Sequence, residues 1–273
     1  MRLLSFPFSG NISSGEVSFW KKEARNPAPE DIPPYENALW LNTETGEIFV
    51  HLKNCSEGAF WKGQFGTIIA PSTVTKFDIF EDGSAVALYR FEGNALDDGG
   101  QFNGVWTGTE QYDVGIFGQA AKFDGNSYIS SNVCDALNDA VSISFWVSPG
   151  SGILFNFGAY TLEAQVSSGN LQVAYGDGWS WITVSSLPAG EWKHIVFSYE
   201  KSGGTCSVWI DGNQVYEGNN SSSASWGDFC LAWRLDNSSD PKFNGLIDQV
   251  RIFNRALTDE EVQVLYNEVE VNC

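Results

Sequence analysis

FNGLIDQVRIFNRALTDEEVQVLYNEV, residues 243–269, joins the pattern of a β-strand directly to the pattern of a helix. If the first part is extended, alternate side chains lie on one face of a sheet. That face would carry Leu246, Asp248, Val250 and Ile252. A carboxylate then points in the same direction as three aliphatic side chains, so Asp248 needs a partner that offsets the cost of burying its charge.

The second half of this stretch predicts a short helix that begins after Thr258. Thr258 and Glu261 have the spacing of a capping box. Asp259 and Glu260 would lie at the positive end of the helix dipole. The apolar stripe comprises Val262, Leu265 and Tyr266. Because such a stripe packs against a neighbouring surface, the helix is expected to lie beside the strand that carries Asp248.

The composition of the 273-residue chain favours β-structure. Trp (11), Phe (19) and Gly (28) are plentiful, whereas Met occurs once, a mixture typical of sheets with aromatic cores and many turns. From Ala85 onward, short strand patterns are divided by Gly, Ser, Asn and Asp, and WIDGNQVY at residues 209–216 has the turn of a β-hairpin. This spacing predicts an all-β antiparallel sandwich over residues 76–273 with one short C-terminal helix.

Charge and hydropathy argue against two classes of partner. The formal net charge of -19 disfavours nucleic acid and anionic membranes, which need a basic surface. No stretch approaches the roughly 20 apolar residues of a membrane span, so no membrane insertion is expected. The opening MRLLSFPFSGN lacks the long apolar run of a usual signal peptide. The five cysteines form no Cys-x-x-Cys pair and are expected to be mostly reduced.

Residues 1–75 are predicted to form a separate N-terminal unit. The segment NPAPEDIPPY, residues 26–35, is Pro-rich and predicts an extended linker. ALWLNTETGEIFVHLKN and AFWKGQFG then predict three short strands, with Thr-Gly at a turn. A β-unit of this size rarely has a sufficient core of its own. It is therefore either a hairpin that packs on the larger domain or a module for oligomerisation or docking.

Six blocks in series carry a resemblance to a known family. They are ALYRFEGNALDDGGQFNG, GQAAKFDGNSYI, VSISFWVSP, EWKHIVFSYE, VWIDGNQV and FNGLIDQVRIFNRALTDEEVQVLYN. Over residues 86–268, the chain resembles the laminin G-like, concanavalin A-like lectin/glucanase family in the order and spacing of these blocks. The resemblance implies two antiparallel sheets packed as a curved jelly roll, often with one calcium ion at an edge. It implies less about function, because this sandwich is a scaffold with many uses.

The same resemblance implies a partner for Asp248. In the family, the Asp of the last-strand motif approaches an Asp in the loop after the first strand; these positions are Asp248 and Asp97, with Asp98 adjacent. The implied partner is a structural Ca²⁺ ion, which suits carboxylate and carbonyl oxygens. The loop departs from the usual family wording, with Asp98 where Ser is frequent and Gln101 where Asn is frequent. The alternative is that Asp248 accepts main-chain N–H groups from the loop at residues 94–100, without a metal.

Catalytic motifs are missing from the sequence. The glucanase branch of the superfamily uses Glu-x-Asp-x-x-Glu on one strand, whereas TLEAQVS offers Glu163 alone. His51 and His194 are the only histidines. Two histidines far apart in the sequence argue against a Ser-His-Asp site or a zinc-histidine site. His194 is interpreted as a core histidine. The chain is therefore predicted not to be an enzyme.

Two aromatic segments are candidates for a sugar-binding surface. Flat aromatic faces stack on pyranose rings while neighbouring polar groups bind hydroxyls. The candidate ligand-binding residues are Tyr175, Asp177, Trp179 and Trp181 in AYGDGWSWITV, and Trp226 and Trp233 in SASWGDFCLAWRLDNSSD, where Arg234 and Asp236 supply polar groups. For each tryptophan the alternative is a role in the core.

The N-terminal unit adds a second, shorter resemblance. NALWLNTETGEIFVHLKN and FWKGQFG resemble the short Trp and Thr-Gly β-modules near the N-termini of bacteriophage fibre and capsid-attached proteins. The leading hypothesis is a non-enzymatic virion surface protein, assembled in the host cytoplasm as a capsid decoration, head fibre or tail fibre. Residues 1–75 would bind other virion proteins, with a trimer as the favoured homo-oligomer. The sandwich would contact host-surface glycans.

Two alternatives to this hypothesis stay open. The first is an exported bacterial carbohydrate-binding module that acts outside the cell. The second is an architectural decoration protein without a ligand. Neighbouring capsid or tail genes would favour a virion protein, and neighbouring genes for polysaccharide-degrading enzymes would favour the exported module.

Overall fold

A computed structural model of the chain describes residues 77–158, 161–177, 180–235 and 240–268, together with the backbone of five strands before residue 77. The chain divides into two compact units. One comprises residues 1–74 and 271–273, and the other comprises residues 75–270.

The first unit contains one five-stranded sheet. Its strands are β1 (Lys21–Glu23), β2 (Leu39–Asn42), β3 (Ile48–Asn54), β4 (Gly58–Gly63) and β5 (Ile68–Ile69). They are hydrogen-bonded in sequence order, with β1 parallel to β2 and the other neighbours antiparallel. The predicted strands of the N-terminal unit are among them. The side chains of this sheet lie outside the described residues.

Fourteen strands build the second unit. The first seven are β6 (Ala85–Tyr89), β7 (Val105–Thr107), β8 (Tyr112–Val114), β9 (Gln119–Asp124), β10 (Tyr128–Ser131), β11 (Ala140–Phe157) and β12 (Leu162–Ser167). The others are β13 (Asn170–Tyr175), β14 (Ile182–Ser186), β15 (Lys193–Glu200), β16 (Thr205–Ile210), β17 (Asn213–Asn219), β18 (Phe229–Leu231) and β19 (Asn244–Phe253). A 3-10 helix spans Val133–Ala136, and helix α1 spans Asp259–Tyr266.

Strand β11 belongs to both layers of a sandwich. Its first part, residues 140–151, lies in a first sheet of order β8-β9-β19-β11-β15-β16-β17, in which β6 also pairs with β19. Its last part, residues 152–157, lies in a second sheet of order β14-β13-β12-β11-β18-β10-β7. Gly150 and Gly152 stand where the strand crosses, and a Cβ at either position would collide with a main-chain oxygen.

Aromatic rings join the two sheets. The ring of Phe155, in the second sheet, lies 6.0 Å from Phe145 and 5.0 Å from Phe197, which belong to the first sheet. These side chains are fully buried, and complete burial of one Phe stabilises the fold by about 1.5–3 kcal/mol. The predicted all-β antiparallel sandwich with one short C-terminal helix is confirmed.

A β-bulge at Gln249 corrects one detail of the sequence prediction. The register between β11 and β19 shifts at this point, and Gln249 has a φ of 51°. Val250 and Ile252 face the core, whereas Asp248 pairs with Trp146 on the outer face of the first sheet. Asp248 therefore does not share a face with Val250 and Ile252, because the extra residue of a bulge changes the alternation of side chains.

Helix α1 covers part of this outer face. Thr258 is its N-cap; the Thr258 hydroxyl accepts the N–H of Glu261, and the Glu261 carboxylate accepts the N–H of Thr258. The predicted capping box is therefore confirmed. Val262 and Leu265 are buried in one cluster with Trp209 of β16. No helix in the described part of the chain has the length and apolar composition that a membrane span requires.

Candidate functional site

Asp248 is bound by main-chain donors of a tight turn. Its side chain is fully buried, and Oδ2 accepts the N–H groups of Ile116 and Phe117 at 2.9 and 3.0 Å. A Cβ at Gly115, where the turn begins, would collide with this oxygen. Among the described residues, Oδ1 has no hydrogen-bond partner. Burial raises the pKa of Asp248 to about 8 against the opposing effect of the N–H donors, so the carboxyl group is mostly protonated at neutral pH.

Asp97 has a different set of donors, which lie close to it in the chain. Each of its two carboxylate oxygens accepts two main-chain N–H groups. The donors are Leu88, Gly99, Gln101 and Phe102, at 3.0–3.1 Å. Asp98 instead forms an ion pair with Arg90 at 2.6 Å. Asp97 and Asp98 therefore point to different partners.

These contacts bear on the predicted calcium ion. Calcium takes about six to eight oxygen ligands, yet both oxygens of Asp97 already accept N–H groups and Asp98 is ion-paired. Within the described residues, no three Asp, Glu, His or Cys side chains are arranged to hold a metal. The geometry favours main-chain donors, although the donors to Asp248 come from residues 115–118 and not from residues 94–100. A calcium ion at this place stays a prediction.

His194 lies under helix α1. His194 and Ser144 are both almost fully buried, and Ser144 Oγ lies 2.8 Å from His194 Nε2. The imidazole is packed against the rings of Trp146 and Tyr266, at centroid distances of 5.2 and 5.9 Å. Burial lowers the pKa of His194 to about 4, so the ring is neutral at pH 7. A pair enclosed in this way has no access to a substrate, which supports a core role.

Two of the predicted sugar-binding residues are part of the packed structure. Tyr175 is 3% exposed, and its hydroxyl lies 2.8 Å from that of Tyr216. Its ring therefore offers no stacking face. Trp226 packs against the core, its Nε1 donates to the carbonyl of Asn138 at 2.6 Å, and Lys201 Nζ lies 4.7 Å from its ring centroid. Both positions match the alternative of a structural role.

The other residues of the AYGDGWSWITV segment are distributed differently. Asp177 is exposed and accepts the hydroxyls of Ser222 and Ser223 at 3.4 and 3.3 Å. Trp181 is partly exposed. Trp179 lies outside the described residues. Of the described aromatic residues in this segment, Trp181 is more exposed than Tyr175.

Trp233 also has an exposed part. Its ring lies 5.0 Å from the ring of Tyr128, and Lys242 Nζ lies 4.1 Å from its centroid. Tyr128 precedes Ile129, which faces the core, so Tyr128 points to the outer side of the second sheet. Trp233 is therefore an aromatic group on that outer side, next to a positive charge.

The outer face of the second sheet carries a group of polar residues, here named the sheet-face cluster: Asn156, Glu163, Arg234 and Asp240. Glu163 Oε2 accepts Asn156 Nδ2 at 3.3 Å and pairs with Arg234 Nη1 at 3.2 Å. Arg234 Nη2 pairs with Asp240 at 2.5 Å. The Glu163 side chain is fully buried, whereas those of Arg234 and Asp240 are 18% and 38% exposed. The cluster therefore links a buried carboxylate to groups that solvent can reach.

Strand register places Trp181 near this cluster. Glu163 pairs with Ala174 across β12 and β13, and Val173 pairs with Ile182 across β13 and β14. Trp181 precedes Ile182 and so lies beside Ala174, two strands from Glu163. Two strand spacings amount to about 10 Å. A short oligosaccharide could therefore contact Trp181 and the cluster together.

The sequence pattern singled out the neighbouring tryptophans with Arg234 and Asp236 beside them, but it assigned Glu163 no role in binding. Asp236 lies outside the described residues. The sequence does contain a signal for the position of Glu163. The residues on either side of it, Leu162 and Ala164, are apolar, and both face the core. The carboxylate must then lie on the opposite face. The pairing with Arg234 has no local signal, since 71 residues separate the two.

Residues 123–263, just over half of the chain, match the family described as the concanavalin A-like lectin/glucanases superfamily. No curated protein matches the chain. Among solved structures, domain 4 of AbnA, an extracellular GH43 arabinanase from Geobacillus stearothermophilus, is 28% identical with a TM-score of 0.57. The alignment covers 67% of this chain and 98% of that one, which was solved in complex with arabinotriose.

Two clostridial toxins are similar in fold. The binding domain of Paraclostridial Mosquitocidal Protein 1 is 18% identical with a TM-score of 0.56, and the alignment covers 67% of this chain and 52% of that one. Botulinum neurotoxin type C, whose cell entry depends on interaction with two ganglioside molecules, is 15% identical with a TM-score of 0.53. The alignment covers 67% of this chain and 51% of that one. This chain thus spans about half of each toxin chain. The sandwich and the family match together show that the chain belongs to the concanavalin A-like lectin/glucanases superfamily.

Proposed function

We propose that the sandwich is a carbohydrate-binding domain without enzymatic activity and that the outer face of its second sheet is the binding surface. The observation that carries this proposal is the sheet-face cluster, in which Glu163 is held by Asn156 and Arg234. Preorganised charged and amide groups bind hydroxyls with defined geometry. The partly exposed ring of Trp181 supplies a surface on which a sugar ring stacks. The ring of Trp233 is already packed by Lys242 and Tyr128 and borders the surface.

The same cluster supports binding rather than hydrolysis. A glycosidase of the usual kind needs two carboxyl groups, one of which donates a proton to the leaving group. In the cluster, Arg234 pairs with both Glu163 and Asp240. Both carboxylates are bound by the same guanidinium, which favours a role in binding over a role in proton transfer.

Two similar structures support a carbohydrate ligand. The arabinanase domain was solved in complex with arabinotriose, and type C neurotoxin interacts with gangliosides. The first of these is the more informative, because its identity of 28% exceeds the 15% of the second. Arabinotriose is therefore the first probe, followed by a ganglioside oligosaccharide and a broad glycan array.

Calorimetric titration of the full-length chain with the glycan that binds on the array tests the proposal. Trp181→Ala should weaken binding by about tenfold or more, because a stacking surface is lost. Trp226→Phe is the matched control, since the Trp226 ring is occupied by Asn138 and Lys201, and it should bind as tightly as the wild type. Unchanged binding by both Trp181→Ala and Arg234→Gln would exclude this surface. A glycan array without any signal would favour an architectural protein.

The proposed setting is the surface of a virus particle, where the first unit anchors the sandwich to other virion proteins and forms a trimer. Support comes from the phage-like pattern of residues 1–75 and from their separate sheet. Light scattering of the full-length chain should give three times the 30.0 kDa chain mass. A monomer, together with neighbouring genes for polysaccharide-degrading enzymes, would favour the exported module.

A further inference from the structure

A depression of about 310 Å³ lies on the outer face of the first sheet, beside the N-terminus of helix α1. Its lining includes Ser198 of β15 and Ser207 of β16, which pair across the two strands. Small serine side chains at paired positions leave space above the sheet. The carboxylates that line this space belong to Glu200, Glu217 and Asp259. We name it the acidic groove.

The lining of the acidic groove contains a polar group without a partner. Ser207 is 7% exposed, and within the described residues its hydroxyl forms no hydrogen bond. Ser198, by contrast, accepts the hydroxyl of Ser142 at 3.0 Å. The Ser207 hydroxyl opens into the groove, where it can donate to and accept from a bound molecule. Ser207 therefore marks a position at which a polar ligand atom would be favourable.

The charge of the groove indicates a cationic ligand. Its lining residues include three carboxylates and no Lys, Arg or His. Asp259 accepts the Nε1–H of Trp209 at 2.8 Å, but a neutral donor does not balance the charge. Carboxylates of like charge in one groove favour the entry of a cation.

The spread of these carboxylates excludes a simple metal site. No set of three acidic side chains in the described ranges is arranged around a single ion. Glu200, Glu217 and Asp259 instead border a space large enough for a small organic molecule. A ligand that fits this groove is a positively charged organic molecule, larger than a metal ion. It also carries polar groups that form hydrogen bonds with the serine hydroxyls.

We propose that the acidic groove binds a glycan that contains a protonated amino sugar. Its ammonium group would pair with Glu200 and Glu217, and its hydroxyls would bind Ser198 and Ser207. A basic peptide fits less well, because peptide interfaces depend on apolar anchors in pockets and this lining is mainly polar. The ligand class rests on the proposed carbohydrate-binding function, but the residues belong to the other sheet.

Titration of the full-length chain with a trimer of glucosamine tests the inference. At about pH 6 its amines are charged, and it should bind at least about tenfold more tightly than the N-acetylated trimer, which lacks the charge. Glu200→Gln and Glu217→Gln should each weaken binding by about tenfold. Both side chains are exposed, so the fold should be retained. Glu191→Gln removes the same charge from an exposed residue outside the lining and should bind as the wild type does.

Several outcomes would overturn the inference. These are equal binding of the two trimers, wild-type binding by both glutamine variants, or binding of trilysine as tight as that of the glucosamine trimer. Trp181→Ala separates this site from the sheet-face cluster. If this variant loses the glucosamine trimer, the groove is not the site. If arabinotriose and other neutral glycans fail to bind while the glucosamine trimer still depends on Glu217, the groove is supported and the sheet-face site is not.

Discussion

The outer faces of the two sheets both carry charged residues, but they differ in what covers them. On the first sheet, Asp248 and Arg251 are enclosed by the chain itself. On the second sheet, Arg234 holds a buried Glu163 while part of its own side chain remains in solvent. A polar group enclosed by its own chain must find all its partners within the fold. A polar group that reaches solvent keeps capacity for a ligand, so the enclosed part of the first face around Asp248 and Arg251 serves stability, whereas the sheet-face cluster serves binding.

The largest effect that tests this contrast is expected at Glu268. Its carboxylate pairs at 2.6 Å with Arg251 Nη2, and the Arg251 side chain is 3% exposed. Glu268→Ala leaves a buried guanidinium without its countercharge and should lower the free energy of unfolding by about 3 kcal/mol. Urea denaturation of the variant and the wild type measures the difference.

Glu260→Ala is the matched control on the same helix. Glu260 is exposed in the first turn of α1, so its loss should cost at most about 1 kcal/mol through the helix dipole. If both variants lose the same free energy, then enclosure by the chain does not determine the cost of removing a charge.

The next largest effect concerns the pH dependence set by Asp248. Burial raises the pKa of this group to about 8 from 3.8, so the folded state holds a proton that the unfolded state releases above about pH 4. The stabilisation that this bound proton gives the folded state is complete below about pH 4 and is lost as the pH rises through 8. Asp248→Asn resembles the protonated acid and should match the wild type below about pH 4, but should melt roughly 10 °C or more above it at about pH 9.

Calcium provides the opposing outcome for the same variant. If the predicted calcium ion binds through an ionised Asp248, added calcium should raise the melting temperature of the wild type and a chelator should lower it. Asp248→Asn would then respond to neither and would be less stable than the wild type with calcium present. That result would contradict the protonated carboxyl group and support the metal.

Features encoded by neighbouring residues were predictable. Helix α1 was predicted from Thr258 and Glu261, which cap it within one turn. The hairpin of β16 and β17 was predicted from Asp211 and Gly212, which adopt φ values of 49° and 76°. These signals are local, because capping and turn conformation depend on residues a few positions apart.

Features that arise from pairing with distant strands were not predictable. The bulge at Gln249 inserts one residue opposite β11, and it moves Asp248 to the other face of the sheet from Val250. The pairing of Glu163 with Arg234 depends on how the segment after β18 folds over β12. In both cases the local pattern is compatible with more than one arrangement, and tertiary pairing selects one of them.

The smallest expected effect is the loss of stability at the second face. Gln165 Nε2 donates to Gln172 Oε1 at 2.8 Å, and Gln172 Nε2 donates to Thr183 Oγ1 at 3.0 Å. These groups are within reach of solvent, so water can replace the lost bonds in Gln172→Ala and the free energy of unfolding should change by no more than about 0.5 kcal/mol. Urea denaturation measures the change, and glycan titration of the same variant should show weaker binding if this row flanks the ligand.

Ser142→Ala gives the corresponding change on the first face. Ser142 is fully buried, and its hydroxyl bonds with Ser198 and with the carbonyl of Arg255. Removing this hydroxyl leaves buried partners unsatisfied, so the loss should be about 1–2 kcal/mol, larger than for Gln172→Ala. Glycan binding at the second face should not change. Each variant removes two side-chain hydrogen bonds, so the two changes are comparable in number. If the two variants have the same stability, or if Ser142→Ala weakens glycan binding at the second face, then the enclosed part of the first face and the sheet-face cluster do not divide stability and binding as argued.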